Sequence, residues 1–536
     1  MKKFTKQVIM MCLMTTITHI GLSQCNSWLR ISSPNPLVWG ARSVTTDQEN
    51  NVYSTGYFHG SVSFGSINLT NPTGGTSFYV NKINSGGVTQ WAIQLPVTTY
   101  LFPPVICQKN GVLFIAGAFA DTVIIGSNTI TTSFGTIIGY IPEFGGAGNS
   151  RAYTLGITVN SINEIYLTGR VNGNFTFGST ILNSLTGSYT YLTKFNFDLN
   201  TIWAIQSTST AAGPDSRGWG ITLDNNENVI IGGYFIQEIE FGTVSFNADN
   251  SWGGRNPYIA KFDTAGNCQW IRGGKGPQTF SPVYTVVSDI SGNIYYTGAM
   301  DSTMVIDGNT LNTTNGVFYY CKYTPTGNLV WVHQAGNNTV TEAEAPTSLV
   351  IDGSNNMWNS GWIDGPTSFG GYSLSHWGVF IAKLDLDGNF QGVIGGIGLE
   401  SSYQSVLDAD GNLFIAGLAA GDTISFDGNT IININDTSGV DFVLKYCTQE
   451  LGIESISISD NQVSIFPNPT KGNFTITFPT TTRQIQILNS LGQVLQIKFV
   501  DNEKSIDFEL TDNGIYLVRI MTNRQTINKK LIVCKR

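Results

Sequence analysis

Hydrophobic positions in this chain fall into short runs that end in glycine, and those runs recur. The run Asn51-Val52-Tyr53-Ser54-Thr55-Gly56 has counterparts ending at Gly117, Gly169, Gly233, Gly298, Gly361 and Gly417, spaced 52 to 65 residues apart. Each run opens from a polar turn such as Asp224-Asn225-Asn226-Glu227-Asn228 or Asp408-Ala409-Asp410-Gly411-Asn412. Such turns read as reversals between strands. Pairs such as Phe64-Gly65, Phe177-Gly178, Phe241-Gly242, Asp307-Gly308, Phe369-Gly370 and Asp427-Gly428 follow and predict hairpins. A later strand then alternates side chains and usually carries lysine, as in Tyr79-Val80-Asn81-Lys82-Ile83, Tyr258-Ile259-Ala260-Lys261-Phe262 and Phe380-Ile381-Ala382-Lys383-Leu384. In four units a final strand brings a tryptophan, at Trp91, Trp203, Trp270 and Trp331.

Units of this length hold four or five short strands, too many for leucine-rich or ankyrin repeats and too variable for a regular solenoid. A propeller blade fits them, and the expected fold class is all-β, a seven-bladed propeller followed by a small C-terminal β-sandwich. The seventh unit stops at Lys445-Tyr446-Cys447 without a tryptophan strand, while Trp28-Leu29-Arg30 stands alone at the other end and resembles Trp270-Ile271-Arg272. The N-terminal segment 27–32 is therefore expected to pair beside 442–447 and close the ring, which removes exposed sheet edges.

Composition narrows the function. Only 12% of the 536 residues are charged and the formal net charge is -9. This argues against nucleic-acid and anionic-membrane binding, and along the sequence no Lys/Arg cluster accompanies the aromatics. Residues 1–24, with Lys2, Lys3 and Lys6 before an apolar run from Val8 to Leu22, read as a secretory signal peptide. No later stretch has the length and apolarity of a membrane helix. The cysteines beyond the leader, Cys25, Cys107, Cys268, Cys321, Cys447 and Cys534, are too irregularly spaced for a disulfide scaffold or a zinc site, and predict core packing or an isolated disulfide. Asp385 to Asn389 and Asp408 to Asn412 are partial matches to calcium loops that lack the terminal acidic ligand, and are expected to be turns. Neither a metal site, a cofactor site nor a catalytic residue is assigned. Gly371 to His376 contains serine and histidine without a nucleophile elbow, and no phosphate-binding loop occurs.

The Gly-Asn-aromatic-Gly and Phe-Gly signals resemble the SBBP family of bacterial β-propeller repeats over residues 27 to 448, with a departing second unit whose Ile138 to Phe144 stretch lacks the lysine. That resemblance implies a fold and an extracytoplasmic setting and carries over no catalytic residue. After a linker at 449–462, short strand candidates resume. Phe466-Pro467-Asn468-Pro469, Gly472, Ile487-Leu488-Asn489 with Gly492-Gln493, Asn513-Gly514-Ile515-Tyr516-Leu517-Val518 and Lys529-Lys530-Leu531-Ile532-Val533 together resemble the type A C-terminal sorting domain of the type IX secretion system of Bacteroidota, over residues 463–536. The resemblance implies export through the type IX machinery, and a product secreted or attached to the outer cell surface.

The expected organisation is a signal peptide at 1–24, a propeller at 25–448, the linker and the sorting domain. The expected role is noncatalytic recognition of a glycan or a surface protein. Trp219, Tyr234, Trp252, Trp358, Trp362 and Trp377, aromatics outside the recurrent late position, are the ligand-binding candidates. A glycan-active hydrolase or lyase, with carboxylates converging from different blades, and a structural surface protein are the alternatives.

Overall fold

The computed structural model describes residues 25, 27–33, 40–71, 76–96, 104–117, 122–125, 128–131, 151–211, 213–248, 254–276, 282–313, 317–336, 345–421, 423–427, 429–432, 439–448, 464–478, 482–489, 494–500, 503–522 and 526–534. Among these, secondary structure is entirely β, and no helix is long and apolar enough to cross a membrane. The leader, Trp252, Gly428, the stretch Ile138 to Phe144, the linker 449–462 and Gly492-Gln493 lie outside the described residues. Asn26–Thr448 forms one compact unit, and the described residues beyond Gln449 form another.

In the larger unit the repeat folds as the alternation requires. Polar turns reverse short apolar strands, so that each unit becomes an antiparallel sheet of neighbouring strands. The first sheet runs Ser43–Thr46, Val52–His59, Thr76–Ile83, Thr89–Pro96, from innermost to outermost. The same order recurs in the sheets that begin at Arg151–Val159, Ser216–Leu223, Val283–Ser288 and Ala345–Ile351. Most hydrogen bonding stays within a sheet, and the sheet that begins at Ser216–Leu223 continues from Cys268–Lys275 to the hairpin of Met304–Ile306 and Asn309–Leu311 in the next unit. The innermost strands of the sheets adjoin in sequence from Ser43–Thr46 through Val105–Lys109, Arg151–Val159, Ser216–Leu223, Val283–Ser288 and Ala345–Ile351 to Leu399–Leu407, and the last of these returns to contact the first.

The return is completed by the chain's own beginning. Trp28–Ile31 adds to the outer edge of the sheet built from Leu399–Leu407, Leu413–Ala419 and Val440–Tyr446, with Trp28 opposite Lys445 and Ile31 opposite Phe442. The likeness of Trp28-Leu29-Arg30 to Trp270-Ile271-Arg272 extends to their hydrogen bonds. Trp28 Nε1 donates to the Ser85 carbonyl at 3.0 Å and Trp270 Nε1 to Pro325 at 3.3 Å. Arg30 Nε donates to Gly87 at 2.5 Å, and Arg272 Nε to Gly327 at 2.7 Å. Trp28 and Leu29 are buried, worth roughly 2–3 kcal/mol each in apolar area removed from water.

The late tryptophans join one sheet to the next. Trp203 and Trp331 donate to Thr264 and Leu386 at 3.2 and 3.3 Å, in the turns of the sheets that follow. Those turns must present backbone closely. Gly327 has φ +82°, and a Cβ there would stand 2.9 Å from the Trp270 ring, so glycine is required on both counts.

The polar turns are closed by their own side chains. Asp224 Oδ1 accepts the Asn226 and Asn228 amides at 2.9 and 3.0 Å, and its other oxygen accepts Asn228 Nδ2 at 3.0 Å. Asp385 and Asp408 are arranged alike. These two stretches are thus turns, and no group of acidic, His or Cys side chains suited to a metal occurs among the described residues. The lysines of the later strands complete the network, with Lys82 at 3.3 Å from Asp47 and Lys261 at 2.8 Å from Asp224. Cys25 and Cys447 are disulfide-bonded, whereas Cys107, Cys268, Cys321 and Cys534 are free.

The C-terminal unit has a three-stranded sheet of Ser464–Phe466, Asn473–Thr477 and Ser505–Glu509, and a four-stranded sheet of Val494–Phe499, Thr482–Leu488, Gly514–Thr522 and Thr526–Val533. One buried cluster including Phe474, Ile476, Ile485, Ile487, Phe508 and Val518 draws on both. Asn468 accepts the Ile532 amide at 2.9 Å, which ties the Phe-Pro-Asn-Pro segment to the last strand.

Candidate functional site

The innermost strands carry an irregularity that the repeat does not advertise. Opposite the repeated glycine of the second strand, in five sheets, the pairing register slips between Thr154 and Gly156, Gly218 and Gly220, Val283 and Thr285, Ala345 and Ser348, and Ser402 and Gln404. A β-bulge re-aims the extra residue and leaves it outside the ladder. The residues so displaced include Leu155, Trp219, Tyr284, Thr347 and Tyr403, all half-buried in an otherwise tightly packed unit. Because they stand on adjoining innermost strands, they form one inner rim.

Three contacts show neighbours meeting across that rim. The Trp219 and Tyr284 rings stack with centroids 5.6 Å apart and planes at 19°. Arg42, from the segment leading into Ser43–Thr46, lays its guanidinium 3.7 Å from the centre of the Tyr403 ring. Thr347 and Ser402 share a hydrogen bond at 3.0 Å.

Below the Trp219 and Tyr284 pair lies a charged cluster. Tyr234 meets Trp219 edge-on at 5.6 Å, is fully buried, and donates its hydroxyl to Asp215 at 2.9 Å. Arg217 and Arg255 place their guanidinium carbons 5.4 and 5.1 Å from the Tyr234 ring centre. Their Nε atoms lie 3.9 and 3.6 Å from the Asp215 carboxylate. Arg170, one sheet earlier, packs on Tyr153 at 4.3 Å. Burial lowers the pKa of Arg217, Tyr234 and Asp215 counter it, and the positive charges of Arg170 and Arg255 push it further down. The absence of a basic cluster along the sequence is therefore corrected by the fold, which gathers three arginines from separate strands beside three aromatic rings.

Of the sequence candidates, Trp219 and Tyr234 are brought together, Trp358, Trp362 and Trp377 stand elsewhere, and Trp252 lies outside the described residues. Trp358 is buried and donates its indole N–H to Asp352 at 2.8 Å, as part of a polar turn. Tyr234 and Trp358 therefore offer no ring face to solvent. Trp362 is half-buried opposite Ala345, and Trp377 is 51% exposed. Tyr284, Arg170 and Arg217 were missed, although a signal for the rim exists. Arg42, Leu155, Trp219, Tyr284, Thr347 and Tyr403 each stand five residues before the first residue of a polar turn, at Asp47, Asn160, Asp224, Asp289, Asp352 and Asp408.

A second feature lies at the seam closed by the N-terminal strand. A cavity of about 390 Å³ there is lined by residues including Arg30, Ser54, Tyr79, Asn81 and Asp441. Asp441 is buried, and among the described residues neither carboxylate oxygen has a hydrogen-bond partner. Burial pushes its pKa up to about 7, against the lowering influence of Tyr79, Arg42 and the Gly40 amide. Tyr79 and Gly40 are close enough to act on the carboxyl but do not reach hydrogen-bond geometry, so burial governs.

Among solved structures, the chain is similar to virginiamycin B lyase from Staphylococcus aureus at 11% identity, over 79% of this chain and 100% of that one, with a TM-score of 0.34. It is similar to a protein of unknown function from Bacteroides caccae at 10% identity, over 56% of this chain and 80% of the other, with a TM-score of 0.30. PorZ, a surface component of the type IX secretion system of Porphyromonas gingivalis, is similar at 10% identity over 94% and 100%, with a TM-score of 0.15. At such scores these likenesses carry no argument about the site. No curated protein matches the chain. Residues 464–534 match the Secretion system C-terminal sorting domain, which marks this protein as one exported by the type IX system and secreted or attached to the outer cell surface.

Proposed function

We propose that the unit 26–448 is a seven-bladed propeller that recognises a glycan at its inner rim without transforming it. The C-terminal unit, in this reading a β-sandwich, engages the type IX secretion machinery as the export signal. The circuit of adjoining innermost strands supports the propeller, as does the pairing of Trp28–Ile31 with Val440–Tyr446. The observation that carries the ligand is the half-buried, stacked pair of Trp219 and Tyr284, held on bulges away from the structural tryptophans. Aromatic faces bind the apolar faces of sugars, and threonine and serine hydroxyls such as those of Thr347 and Ser402 supply hydrogen bonds around them.

Titration of the full chain with a panel of neutral and acidic oligosaccharides tests this, with each mixture assayed for new reducing ends and for unsaturated products. Saturable binding that Trp219→Ala weakens at least tenfold, with no product formed, is expected. Product formation would replace recognition by catalysis, and failure of every saccharide to bind would remove the glycan reading.

A further inference from the structure

The arginines beside the rim go beyond what a neutral sugar needs. Arg170 and Arg217 come from adjacent sheets, repel one another, and are only half-buried. Among the described residues, neither guanidinium donates a hydrogen bond. Arg217 has only a 3.9 Å approach to Asp215, a carboxylate that also faces Arg255 and already accepts from Tyr234. Each fork carries five N–H donors in a plane that matches a carboxylate or sulfate group. The Tyr153 and Tyr234 rings hold the two forks by cation–π contacts at 4.3 and 5.4 Å, which limits the side-chain freedom lost on binding.

Gathering like charges in a partly desolvated place costs free energy, and the cost falls when an anion enters. Several other inter-sheet cations of this unit are spent differently. Lys82, Lys194 and Lys261 each sit within 3.3 Å of a turn carboxylate, and Arg30 and Arg272 donate to backbone carbonyls. Among the described residues, Arg170 and Arg217 have no such close partner, and Arg217 packs on Tyr234, which in turn meets the Trp219 ring edge-on.

We infer that Arg170 and Arg217 form an anion subsite of the rim, so that its ligand is an acidic saccharide bearing a carboxylate or sulfate, with a sugar ring on Trp219 and Tyr284. This rests on the glycan reading and names its ligand class.

The test is isothermal titration of the full chain with an oligogalacturonate, a chondroitin sulfate oligosaccharide and a neutral xylo-oligosaccharide, for the wild type and for Arg170→Gln, Arg217→Gln, Arg217→Lys and Trp219→Ala. At least one acidic saccharide is expected to bind at least tenfold tighter than the neutral one. Each Gln variant is expected to lose about tenfold for the acidic ligand only, with part of the loss restored in Arg217→Lys. Which acidic ligand responds distinguishes uronate from sulfate. Should Arg217→Gln fail to fold, Arg170→Gln and the salt dependence of the wild type decide, since an ion-paired ligand weakens as salt rises from about 0.05 to about 0.5 M. Equal binding of neutral and acidic saccharides, indifferent to both arginines but lost in Trp219→Ala, overturns the anion subsite and leaves the glycan reading standing. Binding of polyglutamate but of no saccharide overturns both.

Discussion

The two ends of the innermost strands make opposite use of the same scaffold. At the turn end, Asp47, Asp224, Asp289, Asp352 and Asp408 occupy equivalent places, and each carboxylate is saturated by its own turn and often by a lysine, tyrosine or tryptophan. At the glycine end the equivalent places hold Arg42, Leu155, Trp219, Tyr284, Thr347 and Tyr403, five residue types in six places. Repetition there has been given up. What recurs among the sheets serves folding, and what varies at a fixed place on a repeated frame is where the proposed recognition would reside.

The comparison breaks first at the turn end. Burial raises the Asp224 carboxyl, but Lys261 and Asn228 outweigh it and hold the pKa below the ordinary value. Asp224→Ala would leave a buried ammonium without its partner, and a loss of about 3–5 kcal/mol is expected in denaturant unfolding. Trp28→Ala should cost a similar ~3–5 kcal/mol, because a buried indole and the staple to Ser85 both go. If either variant unfolds like the wild type, the turns and the closing strand are not what holds the ring.

Asp441 gives the next effect, with the opposite sign. Its carboxyl is raised to about 7 in the folded protein, against about 3.9 in the unfolded chain. The folded state therefore binds more protons between those values. The stability is fully present below about pH 4 and is lost as pH rises through about 7, on the order of 4 kcal/mol in all. Asp441→Asn should remove that slope and unfold at a higher temperature than the wild type at pH 8. Parallel melting curves from pH 5 to 8 for the two proteins would contradict this account of the seam. The smallest stability effect belongs to the rim, where Arg217→Gln should change unfolding by less than about 1 kcal/mol while acting on binding.

Much of this was legible in the chain. Alternating apolar residues, Asp-to-Asn turns and the stray Trp28-Leu29-Arg30 specify strands, reversals and a closing edge, because each signal is local or repeats. The polar turns form where the sequence places them, with Asp385 and Asp408 accepting hydrogen bonds from their own turn amides. The rim was only half legible. Trp219 stands out as an aromatic out of place, but a bulge adds one residue without changing composition, so Tyr284 looked like any strand tyrosine. The arginine cluster joins Arg170 and Arg217, 47 positions apart, with Arg255 a further 38 beyond, and no window of sequence shows charges that meet only across sheets. Trp358 misled for the converse reason. An unusual aromatic in a strand was filling the place that Tyr53 and Tyr295 fill in other sheets, above a turn aspartate.

The most direct test sets one tryptophan of each kind against the other. Trp219→Ala and Trp270→Ala would be compared for melting temperature and for affinity toward the saccharide that the wild type binds best. The account predicts that Trp219→Ala keeps the wild-type melting temperature and loses at least tenfold in affinity, while Trp270→Ala melts several degrees lower and, below its transition, binds as the wild type does. The reverse pattern, with binding lost through Trp270 and stability through Trp219, would contradict the division between a repeated scaffold and a variable recognition rim.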